Sequence, residues 1–185
     1  MSKRPSELRL FVGIYPPHEA CRSMLAALDK LDLPSHRRTP PEQVHLTLLF
    51  IGDVLRKNLD ATIESIERAY SGLKTFELST RSLIRLPERG PARLIAMETD
   101  YPATLRELQR RLAARLAGKP RPRAGDRFRP HLTLCRFRAP SKVSPPGPAL
   151  DRESFVVARI VLMRSELLPT GAAHHEVESF PLIPA

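Results

Sequence analysis

Three features of the sequence predict an α+β fold. Three segments carry apolar residues at helical spacing, about seven have strand character and in places follow one another directly, and one tetrapeptide recurs in two of those strands. Neighbouring strands without an intervening helix favour antiparallel pairing over a doubly wound parallel sheet. The repeat points to two related halves. The expected architecture is therefore bilobal, with two antiparallel sheets and flanking helices related by pseudo-twofold symmetry around a central cleft, all within one domain of 185 residues.

The elements follow in order. In 8–14, Leu8, Leu10, Val12 and Ile14 alternate with Arg9, Phe11 and Gly13, as in a strand with one buried face. Pro16 and Pro17 end it and open a helix carrying Cys21, Met24 or Leu25, Leu28 and Leu31 on one side. A basic loop over 34–41 leads to a strand at 44–51, closed by Gly52-Asp53. Leu55, Leu59, Ile63, Ile66 and Ala69 or Tyr70 mark a second amphipathic helix. Segments 76–83 and 93–98 read as a hairpin about the turn-rich stretch 87–91. Leu105, Leu108, Leu112 and Leu116 form the stripe of a third helix, stopped by Gly118 and Pro120. A basic loop over 119–129 precedes a strand at 131–137, a proline-rich connector at 139–148, and closing strands at 155–163 and 177–182.

Composition narrows the function classes. With 42% hydrophobic and 27% charged residues, the chain is of globular type, not a disordered or fibrous one. Apolar runs such as 46–51 are short and interrupted, against the roughly 20 residues a membrane-spanning helix needs, so no membrane association is expected. The basic N-terminus resembles a signal peptide only until Glu7 and Arg9 break the apolar stretch. Cys21 and Cys135 are widely separated, which gives neither a disulfide framework nor a cysteine metal cluster and suggests a reducing, cytoplasmic compartment; a monomer is expected. The net charge of +10, with 24 Arg against 6 Lys, suits a polyanionic partner because guanidinium donates paired hydrogen bonds to phosphate. An Arg-rich solvated surface would look the same.

The repeat carries the chemistry. His45-Leu46-Thr47-Leu48 and His131-Leu132-Thr133-Leu134 are identical. Given 27 Leu and 9 Thr, chance would produce two such matches among six His at on the order of one in 10⁵. On a strand, His and Thr of each copy share a face and the leucines take the other. Opposed histidines suit phosphodiester hydrolysis, which needs a proton removed from the nucleophile and another given to the leaving oxygen. Imidazole titrates near neutrality and serves either role, and the threonine hydroxyls can hold non-bridging phosphate oxygens. Two His without a third ligand at suitable spacing make an incomplete metal site, so neither metal nor cofactor is expected. His174 and His175, adjacent on an extended segment, should point apart as a solvent-exposed pair, and His18 and His36 receive no role.

These residues resemble the two-histidine (2H) phosphoesterases, and within them the RNA 2′,3′-cyclic phosphodiesterases, also called 2′-5′ RNA ligase-like proteins. The likeness runs over most of the chain: 9–14, 44–52 and 128–134, then Ser165-Glu166-Leu167 with Gly171, and 179–182. It implies a bilobal fold with one His-x-Thr-x strand per lobe, no metal, and RNA ending in a 2′,3′-cyclic phosphate as substrate, opened to a 2′-phosphomonoester. By that likeness His45 is the general acid and His131 the general base, an order the residues alone leave open. Thr47 and Thr133 would hold the phosphate, Arg136 would contact it, and Phe11 and Phe50 would lie near the base. Strict alternation puts Arg136 and Phe50 on the wrong faces relative to His131 and His45, unless a bulge intervenes. An aromatic common upstream of the first motif is missing from 37–41, and the closing tyrosine position is His174. Arg38, Arg127 and Arg129 are the candidates for RNA-backbone contact. A non-catalytic module for RNA ends or nucleotides, or 2′-5′ ligation by the reverse reaction, would use the same groups.

Overall fold

The computed structural model describes residues 7–117, 128–144, 152–168 and 171–185. Among them the chain forms nine strands and three α-helices in the order β1 (Glu7–Ile14), α1 (His18–Leu28), β2 (His36–Arg38), β3 (Leu46–Leu55), α2 (Leu59–Tyr70), β4 (Phe76–Leu86), β5 (Ala92–Thr99), α3 (Ala103–Leu116), β6 (His131–Ser141), β7 (Ser154–Val157), β8 (Arg159–Leu168) and β9 (Gly171–Pro181). The α+β class and antiparallel pairing hold, but the expected two sheets are one curled nine-stranded sheet, ordered β7-β4-β5-β6-β3-β1-β8-β9, with β2 on β6. The motif strands β3 and β6 are central and pair with each other at Leu46↔Leu132. That bridge fuses what would have been two sheet edges, and edges are costly to leave unpaired. Three further strands extend the sheet on either side of it.

One face of the sheet carries the main core. Leu8, Leu10, Val12 and Ile14 of β1, Leu46 and Leu48 of β3, and Leu132 and Leu134 of β6 are all buried there. Against them pack Cys21, Met24, Leu25 and Leu28 of α1, Ile66 and Ala69 of α2, and Leu105, Leu108 and Leu112 of α3. The helices thus end up on the leucine side of the two motifs, leaving His and Thr to the other side. Among the described residues a small cluster of Phe11, Val161 and Met163, with Tyr15 against it, covers that second face. Leu132 is completely buried at the central bridge, and Leu132→Ala should lower the unfolding free energy by about 2–5 kcal/mol in chemical denaturation. A loss under about 1 kcal/mol would mean the bridge does not hold the sheet together.

Several boundaries differ from the sequence reading for identifiable reasons. β2 lies within the stretch read as a loop, because three basic and histidine residues between prolines carry no apolar alternation. The strand read over 155–163 breaks at Ala158 into β7, which pairs with β4, and β8, which pairs with β1 at the far side of the sheet. β9 begins at Gly171, six residues ahead of the predicted start, because its first half, Gly-Ala-Ala-His-His, has little strand propensity and is held by pairing to β8. β3 continues through Gly52, whose φ of 93° is left-handed and favours glycine. Leu31 lies past the end of α1 and Leu55 closes β3, so neither belongs to a helix. Gly118, Pro120 and the end of the proline-rich connector lie outside the described residues.

Candidate active site

Register places the two motifs. With Leu46 opposite Leu132, the antiparallel geometry sets His45 beside Thr133 and Thr47 beside His131, all four on the face away from the helices. The histidines are then diagonal neighbours, whose Cα atoms lie about 7–8 Å apart. All four side chains line one cleft of about 560 Å³.

Each imidazole is fixed by the same local device. His45 Nδ1 donates to the Gln43 carbonyl at 2.7 Å, and His131 Nδ1 donates to the Arg129 carbonyl at 2.7 Å. A carbonyl only accepts, so Nδ1 carries the proton in both rings and Nε2 is the atom left for chemistry. His45 is packed among rings: Phe11 is tilted against it at 4.9 Å between centroids, Tyr15 stacks at 5.2 Å, and His174 meets it edge-on at 4.9 Å. Gly13, opposite Thr47, makes the room, since a Cβ there would come within 3.2 Å of the Leu46 carbonyl and 3.6 Å of the His45 ring. Burial pulls the His45 pKa down to about 4, against the raising effect of its bond to Gln43, with smaller lowering effects from His174, Arg136 and His131. His45 is therefore neutral in the free protein at pH 7.

Bulges resolve both parity conflicts. Along β1 and β3 the partners run Gly13↔Thr47, Val12↔Leu49, Phe11↔Phe50 and Leu10↔Gly52, so Leu48 and Ile51 are extra residues. The first shift turns Phe50 onto the face of Thr47 and opposite Phe11. Along β5 and β6, Ala96↔Thr133 is followed by Ile95↔Cys135 and Leu94↔Arg136, so an extra residue at Leu134 turns Arg136 onto the face of His131 and Thr133. Phe11, Phe50 and Arg136 all line the cleft. Phe50 is half exposed, and the Arg9 guanidinium lies 4.7 Å from its ring centroid.

The remaining candidates fare differently. The Arg129 side chain is absent from the cleft lining: its guanidinium binds Glu98 Oε1 at 2.6 Å and Glu88. Arg129 contributes through its carbonyl, which holds His131. Arg38 forms a two-pronged pair with Asp29 outside the cleft. Arg127 lies outside the described residues. His174 and His175 do point apart, but only His175 is exposed; His174 is half-buried in the cleft wall, 3.3 Å from the Tyr15 hydroxyl. Burial lowers the His174 pKa, helped by His175, while burial and then the charge of Glu176 raise that of Tyr15. Sequence reasoning missed Arg9, Arg37 and His174 as cleft residues. Arg9 was legible from its shared face with Phe11, Arg37 was hidden by the unrecognised β2, and His174 depended on a strand start that propensity does not reveal. Among the described residues the lining carries three arginines, three histidines and no carboxylate.

A curled antiparallel sheet with a His-x-Thr strand from each side of a basic cleft defines a two-histidine phosphoesterase architecture. The chain belongs to the 2′-5′ RNA ligase superfamily, whose family model matches residues 16–167. It is 29% identical over 186 residues to the RNA 2′,3′-cyclic phosphodiesterase of Thermus thermophilus, covering 95% of this chain and 90% of that protein. In structure it matches TT0787 of Thermus thermophilus with a TM-score of 0.82 and 27% identity, over 95% of this chain and 98% of that one. It shares the fold of E. coli LigT, crystallised with NADP+, with a TM-score of 0.78, 23% identity and coverage of 96% and 99%; LigT has also been crystallised with 3′-AMP. No described helix is long and apolar enough to cross a membrane.

Proposed function

We propose that the protein hydrolyses RNA 2′,3′-cyclic phosphate ends to 2′-phosphomonoesters by general acid–base catalysis between His45 and His131. The observation that carries this reading is that both rings line one cleft with the same tautomer, each with Nε2 unengaged by its anchoring bond. The activity named for the Thermus thermophilus relative supports the substrate class. Water attacks phosphorus and passes a proton to His131 Nε2. The P–O3′ bond breaks, and the 3′ oxygen takes a proton from His45 Nε2. The 2′ ester remains. Thr47 and Thr133 hydroxyls donate to the non-bridging oxygens, and Arg136 adds charge as negative charge builds on them. The order of acid and base is the one the family resemblance implies.

Because His45 is neutral in the free protein at pH 7, it has to take up its proton from solvent as the substrate anion binds. The phosphate anion favours the imidazolium beside it and offsets the desolvation that pulls the ring to about 4. The direct test is incubation with an oligonucleotide ending in a 2′,3′-cyclic phosphate, with separation of 2′- and 3′-phosphate products. A 2′-phosphate as sole product fits the account. Saturated binding with no product after prolonged single-turnover incubation would make the protein a binding module instead.

The arginine-lined cleft gives a further expectation. RNA affinity should fall with added salt by about 0.7 log units per log unit of salt for each phosphate contacted. Fluorescence titration over a series of salt concentrations measures this, and a flat dependence would remove the arginines from substrate binding.

A further inference from the structure

β2 brings a second pair of like charges into the cleft. It pairs with β6 through His36↔Phe137, Arg37↔Arg136 and Arg38↔Cys135, so Arg37 and Arg136 stand directly opposite on one face while Arg38 turns to the other and meets Asp29. Directly opposed residues have Cβ atoms about 4.5–5.5 Å apart, and like charges there are unfavourable. Desolvation, followed by the charge of Arg37, pulls the Arg136 pKa below the ordinary guanidinium range. Arg37 also reaches across the cleft: a Cβ at Gly171 would fall 1.9 Å from its Nη1, so the guanidinium lies against the bare backbone at the start of β9. Both arginines line the cleft, and no described carboxylate does.

The pair is four residues along β6 from the Leu46–Leu132 bridge, roughly 10–13 Å at the rise of a strand. The histidine–threonine square occupies the bridge end of the cleft, and the two guanidiniums occupy the next stretch. A cyclic phosphate end brings one negative charge to the imidazoles; the phosphodiester linking the terminal nucleotide to the rest of the strand brings another.

Resting on the proposed reaction, we infer that Arg37, with Arg136, forms a second anion subsite for the phosphate on the 5′ side of the terminal nucleotide, so that the cleft selects an RNA strand over a free cyclic mononucleotide. Arg37 is the specificity-determining member, since Arg136 also borders Thr133 and the reacting phosphate. An anion between the two guanidiniums accepts charge-assisted hydrogen bonds from both.

The test compares a nucleoside 2′,3′-cyclic phosphate with the same compound bearing a 5′-phosphate methyl ester. For the unaltered protein, kcat/KM should favour the 5′-phosphorylated compound by about ten- to a hundredfold, the range of a hydrogen bond to a charged group. Arg37→Gln should reduce that preference to about twofold or less. Arg37→Lys should keep part of the preference, and Arg38→Gln, on the same strand but facing Asp29, should keep all of it. Equal losses on both compounds in Arg37→Gln, or no preference in the unaltered protein, would overturn the subsite. Calorimetric binding of a nucleoside 2′-phosphate and its 2′,5′-bisphosphate keeps the two proposals apart. Tighter binding of the bisphosphate, lost in Arg37→Gln, supports the subsite even if no turnover is seen, and only the hydrolytic reading then fails. Equal binding of the two compounds overturns the subsite whatever the turnover.

Discussion

His45→Ala and His131→Ala should each reduce turnover of a cyclic-phosphate-ended oligonucleotide by about 10²–10⁴-fold, the range supplied by one positioned acid or base. Neither change should unfold the protein. Both rings lie on the cleft side of the sheet, each bonded to a backbone carbonyl, whereas the main core lies on the leucine side. Circular dichroism and denaturation midpoints check that. Losses in the double variant should fall well short of the product of the two single losses, because an acid without its base has little left to do. A substrate with sulfur in place of the 3′ oxygen orders the roles. A thiolate leaves without needing a proton, so the deficit of His45→Ala should largely vanish on it, while that of His131→Ala should persist. The opposite pattern would exchange the two assignments, and near-normal turnover by either variant would remove the acid–base pair altogether.

The second large effect is in the pH profile. With His45 drawn down to about 4 by burial, the free protein keeps that ring neutral until the pH falls through that value, and further acidification charges it. The acidic limb of kcat/KM should therefore lie near pH 4, well below the ordinary histidine range. In kcat, which reports the substrate complex, that limb should move upward, because the bound phosphate anion stabilises the His45 imidazolium. The two apparent values belong to the coupled pair and not to either ring alone. Phe11, Tyr15 and His174 produce the desolvation, so a smaller aliphatic residue at Phe11 should admit water and raise the limb in kcat/KM. A limb fixed at about 6.5 in both parameters would contradict the packed environment of His45.

Much of the site was legible because it rests on a period of two. In each His-Leu-Thr-Leu copy, alternation separates the leucines that anchor the core from the residues that face the cleft, and the structure keeps that division at Leu46, Leu48, Leu132 and Leu134. What the period could not foresee were its interruptions. Single extra residues at Leu48 and Leu134 reverse the face of everything beyond them, which is why Phe50 and Arg136 seemed misdirected until pairing was known. β2 escaped notice for a related reason: it has no buried face of its own and exists because β6 extends past β3 and offers a free edge. Arg37 therefore came to light only with the tertiary pairing. Arg38 and Arg129 illustrate the converse error, since their charges were visible in the sequence but their carboxylate partners were not.

The central claim is that one phosphorus atom sits between the two motif histidines, and a crystal structure with a nucleoside 2′-phosphate bound tests it most directly. The account predicts Nε2 of His45 and Nε2 of His131 each within about 2.7–3.2 Å of oxygens on the same phosphate, with the Thr47 and Thr133 hydroxyls on its remaining oxygens. A phosphate held by arginines alone, with either imidazole beyond hydrogen-bonding reach of it, would contradict the account.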